Sequence, residues 1–276
     1  MDNLPISVMI PAKNAEETIG ECLDSVQKNN PAEVIVVDGD SNDRTVEIAR
    51  RYTDRIYSDG GKGRGFAILL GTEVAKQEYI AYVDSDVVLP EGTLSTMLAE
   101  FQGSGYISIS AQAVPGIKHR SYWGWASYQH TQYSKLRRHQ QYLSTAVCLF
   151  MRETILKYGF DISERYLDDV SLEIRLARDG HRFGVSSAIV YHHHRTDLKS
   201  FVSYRFFLGR MAVVRFMRKW GPWHARFWPP LVMLYWLGFC LIKGKPGLIP
   251  YFVVNGIAGT AGMAKGFFEL IKGPGR

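Results

Sequence analysis

The chain has 276 residues, 46% hydrophobic and 22% charged, a balance sufficient for one sizeable core that excludes an intrinsically disordered protein. Three scattered cysteines, Cys22, Cys148 and Cys240, have no metal-site spacing and form no even disulfide framework, so a reduced compartment is expected. The formal net charge of +6 is concentrated: between Arg195 and Arg226 stand eight basic residues and one acid, Asp197, a stretch suited to anionic lipid or nucleic acid.

The first residues lack the basic and apolar regions of a signal peptide, which leaves the body of the chain on the cytoplasmic side. Over the first 115 residues, short apolar runs alternate with helical patterns. Residues 6–10 read as a strand, 16–27 as an amphipathic helix with Ile19, Leu23 and Val26 on one face, and 34–37 as a second, fully apolar strand. Ser41 or Asp43 is placed to cap a helix running toward Tyr52; residues 55–58 read as a third strand, 66–75 as another helix and 79–83 as the next strand. This alternation predicts an α/β fold, a parallel sheet wrapped by helices, with ligands bound just past the carboxyl ends of the strands.

Three polar clusters fall at those ends: Pro11-Ala12-Lys13-Asn14, Asp38-Gly39-Asp40-Ser41 and Asp84-Ser85-Asp86. Each alone is what a turn or helix cap requires; together on one sheet edge they outline a site. Asp84-Ser85-Asp86 sets two carboxylates one residue apart at a strand end, an arrangement able to hold an oxygen-seeking cation such as Mg²⁺ or Mn²⁺. Such a cation holds a diphosphate and neutralises it as it departs, the help a sugar transfer needs at its leaving group. The segment Gly60-Gly61-Lys62-Gly63-Arg64-Gly65 lacks the spacing and terminal Lys-Ser/Thr of a P-loop, so it reads as a flexible loop that brings Lys62 or Arg64 toward phosphate.

Further along, Tyr122, Trp123, Trp125, Tyr128 and Tyr133 accompany Lys135, Arg137 and Arg138 in an insertion suited to stacking on sugar rings or to packing at a domain edge. Residues 188–191 form a strand followed by His192, His193 and His194, which cannot all reach one metal because neighbours on a strand point to opposite faces. Residues 201–220 place Phe201, Tyr204, Phe207, Leu208, Met211, Val214 and Met217 at near-helical spacing among arginines: an interfacial helix on anionic lipid, or core packing with snorkelling arginines. Residues 227–242 and 246–264 carry no charge; the second run is close to the roughly 20 residues that span a bilayer and the first falls short. They read as a transmembrane hairpin, a re-entrant pair or two buried helices, with Trp220, Trp223 and Trp228 as headgroup anchors and the basic segment kept in the cytoplasm. The charge abutting apolar runs disfavours a nucleic-acid partner.

Residues 11–26, 34–45 and 63–90, together with Thr145 to Arg152, Tyr158-Gly159-Phe160-Asp161, Leu167 to Leu176 and Gly180-His181-Arg182, resemble glycosyltransferase family 2 over roughly residues 5–195. The resemblance implies the GT-A fold, a Rossmann-like nucleotide-binding sheet, over residues 1–195, with a donor half (1–115) and an acceptor half (116–195). An interfacial segment (196–226) and apolar membrane helices (227–270) follow. It implies a nucleotide-diphosphate sugar as donor, with Pro11, Ala12, Asn14, Asp38, Lys62, Arg64, Asp84, Ser85 and Asp86 around it. Within that set Asp38 would meet the nucleoside, Asp84 the ribose or the metal, and Asp86 and His192 the metal; for His192 an exposed or phosphate-contacting imidazole stays open. Asp169 becomes the base that takes the acceptor proton during in-line displacement with inversion, while Asp168 or Asp169 also suits a helix cap.

Two departures from the family pattern stand out. Ala67-Ile68-Leu69 replaces the usual Ala-Arg-Asn step, so the phosphate contact falls to Lys62 or Arg64, and the acidic pair begins with Asp168 rather than Glu. No Gln-x-x-Arg-Trp pattern of processive synthases is present, so one sugar per encounter is expected. The bilayer and a lipid-linked acceptor, a polyprenyl phosphate or polyprenyl-linked glycan, are the expected partners. A sugar nucleotidylyltransferase is the alternative, although its Gly-rich triphosphate loop is replaced by Pro11-Ala12-Lys13-Asn14; a catalytically silent membrane-bound scaffold is another.

Overall fold

A computed structural model describes residues 3–116, 121–135, 146–160, 168–193, 197–219 and 229–272. Its elements, in chain order, begin β1 (Leu4–Ala12), α1 (Ile19–Gln27), β2 (Pro31–Asp38), α2 (Thr45–Ala49), β3 (Ile56–Ser58), α3 (Arg64–Val74), β4 (Tyr79–Val83), β5 (Val87–Val88), α4 (Thr93–Phe101) and β6 (Ser108–Pro115). There follow α5 (Tyr122–Lys135), β7 (Val147–Met151), α6 (Arg152–Tyr158), α7 (Asp168–Arg178), β8 (Phe183–His192), α8 (Leu198–Lys219), α9 (Pro229–Ile242) and α10 (Ile249–Lys272). They divide into two compact units, Met1–Lys118 with Lys135–His193, and His119–Ser134 with His194–Arg276.

The first unit is built on an eight-stranded sheet ordered β3-β2-β1-β4-β7-β6-β8-β5. The neighbours β3, β2, β1 and β4 are parallel. Strand β1 shows why its run is almost wholly apolar: Ile6, Val8 and Ile10 enter one hydrophobic layer and Met9 the other, so both faces are buried. Beyond β4 the sheet is mixed, with β7 antiparallel to β4 and β6, β5 antiparallel to β8, and β6 parallel to β8. The direction of β7 depends on the path taken between residues 116 and 146, which a local apolar run does not encode.

Helices α1 and α2 depart furthest from the sequence expectation, while α3 is shifted by one or two residues at each end. Helix α1 begins at Ile19 because residues 15–18 form a turn whose N–H groups are taken by the next loop: Ala15 N–H donates to Thr45 Oγ1 at 2.7 Å and Glu16 N–H to Asp43 Oδ2 at 3.0 Å. Helix α2 is five residues long; Asp43 Oδ1 accepts the Thr45 N–H at its start, whereas Ser41 accepts the N–H of Asn14 instead.

Helix α7 is set by its apolar face, with Leu172 and Leu176 fully buried, and by Arg175. The Arg175 guanidinium donates to the carbonyls of Tyr158 and Gly159, the latter at 2.7 Å, so it closes the C-terminal end of α6 and ties the two helices together.

The second unit is helical with an aromatic core. Trp236 stacks on Phe252 with centroids 4.9 Å apart, Trp123 stacks on Phe201 at 5.0 Å, and His130 Nδ1 lies 3.1 Å from the Tyr251 hydroxyl. Trp123 and Tyr133 of the aromatic insertion therefore pack within this unit, Tyr133 against Phe239. Among the described residues one helical stretch, Pro246–Glu269, is long and apolar enough to cross a membrane, and 44% of its apolar window is buried; α9 has 14 residues. Trp220, Trp223, Trp228, His194, Arg137 and Arg138 lie outside the described residues.

Replacing Arg175 by Met keeps the aliphatic stem and strands two carbonyls at the end of α6. The expected loss is about 1–3 kcal/mol, read as a lower midpoint with unchanged slope in urea unfolding.

Candidate active site

The loops after β1 and β2 are locked to each other before any ligand arrives. Strand register sets Ala12 beside Asp38, and Gly39 N–H donates to Ala12 O at 2.8 Å. Asn42 N–H donates to Asn14 Oδ1 at 2.9 Å, and Asn14 adopts a left-handed backbone, φ 49°, which its short polar side chain tolerates. Pro11 and Ala12 form the floor of this corner, with Ala12 buried.

Asp38 is 7% exposed. Its Oδ2 accepts the Ser41 N–H at 3.0 Å, while Oδ1 is buried without a hydrogen-bond partner. An unsatisfied buried carboxylate oxygen has capacity to accept a further hydrogen bond, from a ligand or from water.

The glycine-rich segment is organised by Asp59, a residue that sequence reasoning missed. Its backbone N–H donates to Asp38 O at 2.9 Å, Oδ1 accepts Gly61 N–H at 2.7 Å and Oδ2 accepts Gly63 N–H at 3.1 Å. Gly60, Gly61 and Gly63 all have positive φ, so the loop needs glycine at these positions. Asp59-Gly60-Gly61 is a turn signal in the sequence, but nothing local shows that its carboxylate is turned inward and buried. The two cations of the loop take different places: Lys62 Nζ sits 4.2 Å from the Phe66 ring centroid, and Arg64, the first residue of α3, donates from Nη2 to Asp84 Oδ1 at 3.0 Å.

The third corner follows β4. Asp84 N–H is held by Ala146 O at 2.9 Å and Val87 N–H closes a turn onto Asp84 O at 3.1 Å, with Ser85 and Asp86 at its tip. Strand β5 then pairs with the end of β8, placing Val87 opposite His192, and His193 N–H donates to Asp86 O at 2.8 Å. Consequently His192 Nε2 stands 3.1 Å from Asp86 Oδ1, and one ligand atom each from Asp84, Asp86 and His192 lies within 4.8 Å of the others. His193 points elsewhere, with Nε2 3.5 Å from Glu21 Oε2 of α1.

The donor set fits a hard or borderline divalent ion: two carboxylates and an imidazole with open positions for further oxygens. The electrostatics agree. Burial raises the Asp84 carboxyl above the usual range, a shift that Arg64 opposes and the neighbouring Asp86 charge reinforces. Beneath the two carboxylates, Cys22 is fully buried, its thiol donates to Asp84 O at 3.5 Å, and burial followed by the Asp86 charge raises it far above the usual thiol range.

Asp168 and Asp169 open α7, and their side chains lie outside the described residues.

The Glycosyl transferase family 2 model matches residues 7–159, more than half the chain. The chain belongs to this family. It is 38% identical over 92 residues to a 4,4'-diaponeurosporenoate glycosyltransferase of Staphylococcus haemolyticus, covering 30% of this chain and 24% of the relative. It is 32% identical over 130 residues to the Staphylococcus aureus protein of the same name, covering 44% and 35%. The matched part thus spans about a third or less of these curated relatives.

Among solved structures, a mannosyltransferase from Pyrobaculum calidifontis bound to GDP-Man and Mn²⁺ superposes with TM-score 0.68 at 17% identity, covering 96% of this chain and 88% of that one. Glucosyl-3-phosphoglycerate synthase from Mycobacterium tuberculosis, bound to Mg²⁺ and UDP, gives 0.55 at 21% identity, covering 76% and 78%. At these identities the likeness establishes the fold, and it is GT-A.

Asp59→Ala releases the N–H groups of Gly61 and Gly63. The expected result is a roughly tenfold or greater loss of nucleotide-sugar affinity, from the loss of two charge-assisted hydrogen bonds, in calorimetric titration; the fold, read by circular dichroism, is retained.

Proposed function

We propose that the protein is a metal-dependent inverting glycosyltransferase that moves a sugar from a UDP- or GDP-sugar to a lipid acceptor at a membrane surface. The observation that carries the donor side is the convergence of Asp84, Asp86 and His192 at the end of the same sheet whose β2 and β3 end in Asp38 and the Asp59-ordered loop. Asp38 accepts a hydrogen bond from the nucleoside, a reading supported by its buried Oδ1, which has no partner within the protein. Asp86 and His192, with Asp84, hold Mn²⁺ or Mg²⁺. The bound ion supplies positive charge against the diphosphate leaving group.

Arg64 stands at the same corner through its pair with Asp84 and contributes further positive charge there. It takes the phosphate-facing role of the arginine absent from Ala67-Ile68-Leu69; Lys62, lying over Phe66, is the looser second cation.

The acceptor side rests on Asp169 at the start of α7, the helix that Arg175 ties to α6. An acceptor hydroxyl, as in a polyprenyl-linked glycan, must lose its proton as it attacks, and Asp169 takes it. A polyprenyl phosphate, or a carotenoid acid of the kind named for the staphylococcal relatives, arrives ionised and needs no base. The membrane reading draws on the apolar stretch 246–269 and the basic α8. The catalytic unit faces the cytoplasm, where nucleotide sugars are available to it.

The test is to incubate membranes containing the protein with labelled UDP- and GDP-sugars, Mn²⁺ or Mg²⁺, and hydroxyl, phosphate and carboxylate lipid acceptors. Transfer from one nucleotide class, abolished by EDTA and restored by the ion, is expected; full activity after thorough chelation contradicts the metal role. Asp169→Asn is expected to slow transfer to a hydroxyl acceptor by about 10²–10⁴-fold and to spare an ionised acceptor; a normal rate on the hydroxyl acceptor removes Asp169 from the role of base.

A further inference from the structure

Helices α8 and α10 touch backbone to backbone. A Cβ added at Gly262 would overlap Phe206 O, one at Gly209 would overlap Gly259 O, and one at Gly266 would lie 2.6 Å from Arg210 O. A step of four residues from Phe206 to Arg210 on α8 matches the step from Gly262 to Gly266 on α10, so the two helices run parallel. The contact falls at the middle of both: α8 spans Leu198–Lys219, centred near Gly209, and α10 spans Ile249–Lys272, centred near Gly259 and Gly262. Arg210 Nε also pairs with Glu269 at 2.6 Å.

This alignment constrains how α10 meets a membrane. Were α10 to cross the bilayer, the middle of α8 would lie at the same depth. Arg205 and Arg210 stand there, and Lys199, Arg215, Arg218 and Lys219 lie farther along the same helix. Cations at the bilayer centre are strongly disfavoured, and a helix with six basic residues in 22 is no membrane span.

The exposed surface of the unit nonetheless seeks lipid. On α9, Leu231, Leu234, Tyr235, Leu241 and Ile242 fall at helical spacing on one stripe, with Leu234 60%, Leu241 72% and Ile242 82% exposed. The stripe ends at a corner carrying exposed Lys243 and Lys245. Residues 194–276 contain thirteen Lys and Arg against two acids, Asp197 and Glu269, so the matching surface is anionic.

We infer that the helical unit is seated in a single leaflet of an anionic membrane, with the α9 stripe and the Lys243–Lys245 corner in the headgroup region and none of α8, α9 and α10 crossing. The inference rests on the membrane reading proposed above and stands against the transmembrane hairpin, one of the arrangements the sequence left open. A one-leaflet seat leaves both ends of α10 on the same face of the membrane.

Two measurements test this. In flotation, the full chain is expected to rise with phosphatidylcholine vesicles containing phosphatidylglycerol roughly tenfold or more above pure phosphatidylcholine. Absence from the floated fraction overturns this inference and the membrane reading together, and equal flotation on both vesicles overturns the anionic requirement. For sidedness, Lys245→Cys and Lys272→Cys are made separately in the full chain, whose native cysteines Cys22, Cys148 and Cys240 are buried. A membrane-impermeant maleimide is expected to label both variants in everted vesicles and neither in intact spheroplasts. Labelling of the two from opposite sides overturns the one-leaflet seat and leaves the membrane reading standing.

Discussion

Two short backbone pairings, Val87 with His192 and Val88 with Tyr191, join the turn after β4 to the last residues of β8. With the His193 N–H to Asp86 O bond they fix the backbone on both sides of the proposed metal corner. Without them Asp86 would lie on a free turn, unconnected to His192, which Gly116 N–H holds from the β6 side more than a hundred residues away in the chain. Backbone hydrogen bonds set the separation here, so Asp86 and His192 meet at 3.1 Å without depending on side-chain attraction. The same stitch sends His193 to the opposite face, toward Glu21, as strand alternation requires.

The remainder of the donor site is assembled in the same manner, by loops holding one another. Asp38 and Asp59 sit one after the other at the ends of β2 and β3, joined by the Asp59 N–H to Asp38 O bond, and each orders a loop with its carboxylate. Asp59 spends both oxygens on glycine N–H groups, whereas Asp38 leaves Oδ1 unpaired. The difference separates a residue that shapes the site from one prepared to meet a ligand. Arg64 occupies a middle position: it begins α3 and holds the Asp84 carboxylate of the cluster.

Much of this was legible in the sequence because parallel α/β folds place function at the carboxyl ends of strands, and the apolar runs marked those ends within a few residues. The Asp84-Ser85-Asp86 motif and the clusters at Pro11 and Asp38 followed from that rule. The inward turn of Asp59 did not, because the sequence shows only a turn-forming Asp-Gly-Gly. The antiparallel course of β7 was hidden for a similar reason, since a strand's direction belongs to its connections. The aromatic residues around Trp123 looked equally suited to sugar stacking; their use as core appears only when Phe201 and Phe239 are placed beside them. The glycines of α10 read as part of an apolar run, and their close fit against α8 is a property of two helices together.

The central claim is that Asp84, Asp86 and His192 jointly hold a divalent ion that carries the donor diphosphate. The most direct measurement is the anomalous difference density of crystals grown with Mn²⁺ and a nucleoside diphosphate. One strong peak is expected, bounded by Asp86 and His192 and shared with the diphosphate oxygens, and it disappears in an Asp86→Ala crystal that still diffracts. A nucleoside diphosphate bound against Asp38 with no manganese at this corner, or manganese bound away from all three residues, contradicts the account.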